Sequence, residues 1–392
     1  MSGLQAVKAR LKAFTPIGRV NAHLKAWQIK REYARIVRHY DQRRPVGSFE
    51  ELLHRRAGDR LPQLRGRKNR LNLLFLGTDE LQDRSGILQA LERLAQVAYF
   101  TKEDGTYGQV PSNGQPFLTR RTANSDRLLE LFRTLAGQGS APDILLGQMW
   151  GALIDPKVLS RVREQYGTLI VNICMDDRHA YLMGRSIGTH ALIPHIDLAA
   201  TAAPECADWY LKEGCPAVFL PEASDPAIFR PMPDLPKVHD VTFIGGRYGI
   251  RDTLVRSLRE ASVSVTAYGQ GWEAGRLPTE TVPRVLAQSR IILGAGTIGY
   301  CKDFYALKLR DFDAPMSGSF YLTHANPDLE RLYRWGEEIE TFRTIEECIR
   351  KCVWFLERPE ERETVARRGR ARAQAEHTWE GRLRGLLDRC LS

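Results

Sequence analysis

Residues 71–77 read Leu-Asn-Leu-Leu-Phe-Leu-Gly, and this short apolar run ending at a glycine begins the part of the chain that decides the fold. Similar runs return at Asp143–Leu146 and Leu169–Ile173 and, after a proline-rich stretch, at Asp240–Ile244. Stretches with helical spacing separate them. Short apolar runs bounded by turns and separated by helices are typical of buried parallel strands. The sequence therefore predicts an α/β protein with doubly wound sheets.

Changes in composition divide the chain into four segments. The five prolines between Pro221 and Pro236 indicate a linker between two α/β halves. The predicted division is a basic helical extension (1–65), an N-terminal Rossmann-like domain (66–225), a C-terminal Rossmann-like domain (226–376) and a terminal helix (377–392). Ligands of open parallel sheets bind at the carboxyl ends of the strands, so we expect the site in a cleft between the two domains.

The net charge is unevenly distributed. Lys and Arg number 57 and Asp and Glu 47, a formal net charge of +10. Residues 1–70 carry 18 basic and 5 acidic residues, so the rest of the chain is slightly acidic. The basic pI of about 9.3 therefore does not indicate a nucleic-acid-binding body, and we expect no nucleic-acid partner.

Location and redox state are also predicted from composition. The sequence has no apolar run of about 20 residues and no apolar signal region near Met1, so a cytoplasmic protein is expected. The seven cysteines are scattered without paired spacing, which favours core thiols over a disulfide framework or a zinc site.

The extension, residues 1–65, is predicted to be helical. One apolar stripe ends at Pro16, a second follows, and Ser48 with Glu51 predicts the capped start of a third helix. The stripes are Leu4, Val7, Leu11 and Phe14, and then Leu24, Trp27, Tyr33, Ile36, Val37 and Tyr40. A basic helical segment fits peripheral contact with the inner face of a membrane, a protein or nucleic-acid partner, or a helical cap on the first domain.

Two motifs in the second half indicate anion binding. Gly245-Gly-Arg-Tyr-Gly249 follows a strand and opens a helix, which lets backbone N–H groups face a phosphate with Arg247 and Arg251 in reach. The alternative is a plain strand–helix turn. The second motif spans Lys308 to Gly318 and places Lys308, Arg310 and Asp313 near a helix start, where cations suit a diphosphate and a carboxylate suits ribose hydroxyls. The alternative there is a solvated helix face.

Residues from about 168 to 385 resemble the GT-B glycosyltransferases, most closely the CgeB-like spore-maturation branch with a glycosyltransferase family-one-like C-terminal domain. Several motifs match in order along the chain. They are Asp176-Asp177 after a buried strand, the hinge Leu220–Pro231, Phe243–Gly246 followed by Arg251, Tyr268–Trp272, Lys308–Gly318 and Glu376–Trp379.

The resemblance implies a glycosyltransferase of the hexosyltransferase type, with a nucleotide-diphosphate-sugar donor on the C-terminal domain and an acceptor on the N-terminal one. By position, Asp313 matches the ribose-binding acid, although it is one methylene shorter than the usual Glu. Tyr305 replaces the second Glu of many retaining members, which leaves the stereochemical outcome open. The residues implied to bind the donor are Gly245, Gly246, Arg247, Arg251, Gly269, Trp272, Lys308, Arg310, Asp313 and Gly318.

The chemistry of sugar transfer indicates further candidate residues, which would stabilise the leaving group or act as the base. We expect no Asp-x-Asp metal site in the donor domain. The charge on the leaving diphosphate must then be met by cations and helix N-termini, so we expect neither a metal nor a cofactor besides the donor. Asp177 is the preferred base for the acceptor, with Asp79 and His179 as further candidates and Glu222 and Asp225 in the hinge. Helix capping is the alternative for Asp79, and a structural role is the alternative for His179. The acceptor is left open as a glycan, a lipid-linked molecule or a protein, and a non-catalytic nucleotide-binding or nucleic-acid-binding protein is the competing function.

Overall fold

Two parallel β-sheets, each covered by helices, form the framework of the protein. The computed structural model describes residues 15–67, 70–110, 116–298 and 301–391, so the stripe from Leu4 to Phe14 lies outside the described residues. The first sheet has six strands in the order β2-β1-β3-β4-β5-β6, and the second has five in the order β13-β12-β9-β7-β8. A short antiparallel pair, β10 and β11, extends from the second half.

The strands follow the apolar runs of the sequence. They are β1 Asn72–Leu76, β2 Gln96–Tyr99, β3 Ile144–Gly147, β4 Leu169–Cys174, β5 Leu198–Thr201, β6 Ala217–Phe219, β7 His239–Ile244, β8 Val265–Tyr268, β9 Ser289–Gly294, β10 Thr297–Ile298, β11 Cys301–Tyr305, β12 Phe320–His324 and β13 Glu340–Phe342. Every predicted run is a strand. Sequence reasoning missed β10, β11 and β13, which are short and lack a continuous apolar run.

The α-helices alternate with these strands. They are α1 Thr15–Asp41, α2 Phe49–Ala57, α3 Leu61–Gly66, α4 Glu80–Asp83, α5 Ile87–Leu94, α6 Phe117–Gly137, α7 Pro156–Tyr166, α8 Asp177–Leu182, α9 Pro204–Lys212, α10 Ile250–Glu260, α11 Val282–Ala287, α12 Arg310–Met316, α13 Pro327–Glu330, α14 Ile345–Glu357, α15 Pro359–Glu376 and α16 Trp379–Leu391. Two short 3-10 helices cover Thr189–His195 and Thr279–Thr281.

Strand β1 shows why the runs are apolar throughout. Leu73 and Phe75 pack in the helical layer on one face of the sheet, and Leu74 and Leu76 pack in the layer on the other. Successive side chains of a strand point to opposite faces, so a strand covered on both sides needs apolar residues at every position. All seven cysteines are buried, and none forms a disulfide.

The packing of helix α1 shows that the predicted second apolar stripe of the extension is wrong. Tyr40 is buried and stacks on Trp209, whereas Leu24 and Trp27 are 55% and 57% exposed. The six residues from Trp27 to Tyr33 turn the helix by roughly 240°, so the two ends of the supposed stripe lie on different faces. The pattern from Leu24 to Tyr40 is therefore not one core face.

The rest of the described extension packs on the first sheet as a helical cap. Helix α2 begins at the predicted capping box of Ser48 and Glu51, and Leu53 and Leu64 join the core beneath β1. Arg60 donates two hydrogen bonds to the buried Asp197 carboxylate, at 2.7 and 3.0 Å. Part of the basic excess of the extension is thus used to hold the fold together.

The chain crosses between the two halves twice at one place. Ser224, in the predicted hinge, accepts a hydrogen bond from the Trp379 N–H and donates its own N–H to the His377 carbonyl, both at 3.0 Å. Helix α16 then returns to the first half, where Leu383 and Leu386 pack in the same core as β1. The two crossings place the carboxyl ends of both sheets at a common cleft. The boundaries of the four predicted segments stay a prediction.

Candidate active site

Two glycine turns meet at the carboxyl ends of β7 and β8. Gly245 has a φ of 154° and Gly269 a φ of 132°. A Cβ atom on Gly269 would lie 2.3 Å from the Gly245 carbonyl oxygen, so only glycine permits this close approach. The Trp272 indole N–H donates a hydrogen bond to the same carbonyl at 2.8 Å and so holds the turn in place.

Two guanidinium groups converge on these turns. Arg251 donates to the carbonyl oxygens of Gly246 at 3.2 Å and Ala295 at 3.3 Å. Arg310 donates to Ala295 at 3.3 Å and to the Ile244 carbonyl. Since both side chains share the Ala295 oxygen, two positive charges are held within a few ångströms at the ends of β7 and β9.

These two cations are held by carbonyl oxygens and not by carboxylates. Among the described residues, no ion pair within 4.0 Å includes Arg251 or Arg310. Burial, and then the charge of Arg310, lower the pKa of Arg251 to about 10. The neighbouring Asp311 carboxylate accepts hydrogen bonds from the backbone N–H of Lys308 at 2.8 Å and from the Tyr321 hydroxyl. Desolvated cations without a carboxylate partner are stabilised by an anion, so this pair has the chemistry of a phosphate site.

Lys308 lies across the cleft from the first half of the protein. Its ammonium is 3.3 Å from the Asp176 carboxylate, which follows β4. Burial opposes its charge, but Asp176 and Glu222 outweigh that effect and raise the pKa of Lys308. Glu222, in the hinge, is buried, and its burial raises its own pKa to about 8 although Lys308 lowers it. Lys308 and Asp176 therefore form an ion pair between the two halves, with the titratable Glu222 carboxyl near it.

The remaining predicted donor residues lie below or beside this cluster. Arg247 is at the rim, paired with Asp252 at 2.7 Å. Asp313 is buried against Ser224 of the hinge, and burial raises the pKa of its carboxyl well above the ordinary value. Gly318, at a φ of 76°, ends α12 against Pro231. The proposed contact of Asp313 with ribose stays a prediction, and the same holds for the donor role of Gly318.

The three candidate bases have separate environments. Asp177 is 1% exposed and accepts a hydrogen bond from Tyr210 at 2.9 Å, and burial raises its pKa to about 6. Asp79 caps α4 by accepting from the Leu81 N–H at 3.0 Å. His179 is packed against Phe304, and burial lowers its pKa. Their catalytic roles stay predictions, and the placements of Asp79 and His179 match the structural alternatives given for them.

A pocket of about 370 Å³ opens beside Asp176 at the ends of β1, β3 and β4. Its polar wall is preorganised, because the Gln148 amide accepts from Thr78 at 2.7 Å and donates to the buried Asp83 at 3.0 Å. The lining residues are Thr78, Gln82, Arg120, Gln148, Trp150, Ala152, Leu153, Ile173, Cys174, Met175, Asp176 and Met183. Sequence reasoning missed Gln148 and Trp150. The feature of the sequence that could have indicated these two residues is their position just after a buried strand.

Within the described ranges, no three His, Cys, Asp or Glu side chains are grouped so as to hold a metal ion. In the same ranges no helix is both long and apolar enough to cross a bilayer. Metal independence and location stay predictions.

Comparison with known proteins identifies the architecture. Residues 251–388 match the family model described as "Glycosyl transferase-like". No curated protein matches the sequence. Among solved structures, sucrose-phosphate synthase from Thermosynechococcus elongatus superimposes with a TM-score of 0.59 at 12% identity, covering 82% of this chain and 99% of that one. HepE of Anabaena, in complex with UDP and glucose, gives 0.58 at 13% identity, with 81% and 98% covered.

AviGT4, a glycosyltransferase involved in avilamycin A biosynthesis, gives a TM-score of 0.54 at 13% identity, covering 82% of this chain and 97% of that one. The two facing sheets are therefore the two halves of a GT-B fold, and the fold prediction is confirmed. The family match over the second half and the fold together support a glycosyltransferase enzyme. The CgeB-like branch stays a prediction.

Proposed function

We propose that this GT-B-fold glycosyltransferase moves a sugar from a nucleoside-diphosphate donor to a hydroxyl-bearing acceptor across the cleft. This proposal rests on Arg251 and Arg310. Their guanidinium groups lie at the strand ends and donate hydrogen bonds to backbone carbonyl oxygens. Such a pair suits the two phosphates of a nucleoside diphosphate. HepE, a structural neighbour, was solved with UDP and with UDP-glucose, which makes uridine nucleotides the first donors to test.

The charge of the leaving group decides how the pair would act. As the bond between C1 of the sugar and the diphosphate breaks, negative charge develops on the diphosphate oxygens. Arg251 and Arg310 are already fixed by carbonyl oxygens, so they meet this charge with little reorganisation. Lys308 is the third cation. Its ammonium would leave the Asp176 carboxylate and contact the diphosphate of the donor.

The acceptor side is proposed to be the pocket beside Asp176. Trp150 offers an aromatic surface and Gln148 a fixed amide, a combination suited to a sugar ring and its hydroxyls. The acceptor oxygen attacks C1, the diphosphate leaves, and the acceptor proton passes to the Asp176 carboxylate. We propose Asp176 for this role because it lines the pocket, whereas the neighbouring Asp177 is 1% exposed.

Donor binding is tested by thermal unfolding of the full chain with UDP, GDP, dTDP and their glucose conjugates. At a ligand concentration near 100 times Kd, the right nucleotide adds about 2.7 kcal/mol to the free energy of unfolding. Inorganic phosphate serves as the control for simple anion binding. If no nucleotide raises the melting temperature above the phosphate control, the donor site is wrong. Binding without slow hydrolysis of any donor sugar would favour the non-catalytic alternative.

Asp176→Asn is expected to lower the rate of donor turnover by about 100-fold or more while leaving nucleotide affinity within a few-fold. The amide keeps the size of the side chain but cannot accept the acceptor proton. Donor hydrolysis and transfer to a pool of glycans measure the rate, and calorimetry measures the affinity. Asp177→Asn is the matched variant, and a larger loss of turnover there at unchanged stability would return the role to Asp177.

A further inference from the structure

Helix α1 has an outward face that the fold does not use. Its inward face packs on the first domain through Tyr33, Ile36, Val37 and Tyr40. Leu24 and Trp27 lie on the opposite face, at 55% and 57% exposure. Large apolar side chains next to each other on a solvated helix face are costly unless something covers them.

The same outward face is basic. Arg31, Arg35 and Arg38 follow Leu24 and Trp27 at spacings that keep all five within roughly 80° around the helix, and the three arginines are exposed. The Arg31 guanidinium lies 5.4 Å above the Trp27 ring. Arg35 is 73% exposed and is paired with Glu32 at 2.6 Å. We call Leu24, Trp27, Arg31, Arg35 and Arg38 the outward face of α1.

A groove of about 420 Å³ runs along one side of this face, between α1 and residues 181–190. Arg35 and Arg185 lie at the groove with the apolar side chains of Ile36 and Leu182 between them. Arg185 is 64% exposed and is paired with Glu213 at 2.7 Å. The basic and apolar character of the outward face therefore continues onto the body of the first domain.

We propose that the outward face of α1 docks on the surface of an anionic phospholipid bilayer. Trp and Leu side chains partition into the headgroup region while arginines beside them contact phosphates, and each basic residue near such a surface strengthens the attraction. The charge distribution agrees, because residues 1–70 carry 18 basic and 5 acidic residues and the remainder of the chain is slightly acidic. That asymmetry favours the approach of α1, and not of the slightly acidic remainder, to a negative surface.

Two other occupants are disfavoured by the same residues. A second copy of the chain would bring three arginines against three arginines in a symmetric pairing, and like charges in contact repel. A nucleic acid would use the arginines but would leave Leu24 exposed. The proposal does not depend on the proposed transfer reaction, since it uses no residue of the cleft.

The test is co-sedimentation of the full chain with vesicles of phosphatidylcholine alone and of phosphatidylcholine with an equal share of phosphatidylglycerol. We expect binding to the anionic vesicles only, reduced at high salt. The double variant Leu24→Ser with Trp27→Ser and the triple variant Arg31→Gln with Arg35→Gln and Arg38→Gln are each expected to weaken it by about tenfold or more. No nucleotide is present, so failure here leaves the donor test untouched.

Matched controls carry equivalent changes elsewhere on the surface. Trp354 and Leu118 are 47% and 68% exposed, and serine at both should leave vesicle binding unchanged. Glutamine at Arg256, Arg367 and Arg368, which are also exposed, controls for total charge. Equal binding to neutral vesicles, equal loss in the controls, or no vesicle binding at all would overturn the proposal. The proposal would also be overturned if the outward-face variants abolished a dimer or a complex with RNA and left vesicle binding intact.

Discussion

Arg310→Gln is expected to lower kcat/KM for the donor by roughly two to three orders of magnitude, the effect typical of losing one preorganised donor to a developing oxyanion. Glutamine is polar but shorter than arginine, so it lacks the two terminal N–H groups that donate to the Ile244 and Ala295 carbonyls. What is removed is the positive charge and the fork geometry that suits a phosphate. Calorimetry with the nucleotide found by thermal unfolding, followed by steady-state kinetics, measures both parts of the loss.

The free Arg310→Gln protein should be no less stable than the natural chain, because Arg251 and Arg310 repel each other in the absence of an anion. The charge of Arg310 is one cause of the lowered pKa of Arg251, so removing it should raise that pKa. Arg247→Gln is the control: this side chain is 41% exposed and already pairs with Asp252, so we expect a loss below about tenfold. Equal losses in the two variants would contradict the assignment of the diphosphate to the inner pair.

The second large effect is expected at Arg178, which bridges the two halves. Its guanidinium donates to Asp328 at 2.6 and 3.1 Å and to the Tyr305 carbonyl at 2.9 Å in the second half. It also donates to Glu205 of the first half at 2.7 Å. Glu205 in turn accepts from the Tyr33 hydroxyl of α1. Arg178 thus bonds to three elements from both halves, β11, α9 and α13, and its side chain is only 12% exposed.

Arg178→Met is expected to lower the free energy of unfolding by about 3–5 kcal/mol, because it leaves two carboxylates in the interface without their cation. Urea denaturation measures the change. The control is Arg185→Met, which removes a 64% exposed guanidinium paired with Glu213 and should cost less than about 1 kcal/mol. Similar costs for the two variants would contradict a bridging role for Arg178.

The pH dependence of that contribution has a definite sign. Burial raises the pKa of Glu205, but the hydrogen bonds and charge of Arg178 outweigh burial, and the net shift is downward. A carboxyl with a lowered pKa in the folded state stabilises the fold above its unfolded pKa, and this contribution is lost as the pH falls through the folded value. The natural chain should therefore lose stability on acidification over this range more steeply than Arg178→Met does.

Local sequence was sufficient for the framework and for the glycine turns and the two arginines at the ends of β7, β8 and β9. Buried parallel strands demand continuous apolar runs, and the turns that bring Gly245 and Gly269 into contact demand glycine, so both are visible as letters in the chain. Arg251 and Arg310 were found for a related reason: a strand, a turn and a helix in succession fix where a side chain at the helix start will lie. These features depend on a few consecutive residues and on periodicity alone.

Only the tertiary structure decided which of two neighbouring acids faces the cleft, which residues join the two halves, and which face of α1 is covered. Asp176 and Asp177 are equivalent in sequence, but the first lies at the pocket and the second is buried beneath Tyr210. Arg178 and Asp328 are 150 residues apart, and no local pattern relates them. Leu24, Trp27 and Tyr33 were grouped as one apolar stripe, and the packing of α1 on Trp209 separated them. The sequence alone determined the long strands of both sheets through their apolar runs, whereas the direction of a side chain depends on neighbours brought in from distant parts of the chain.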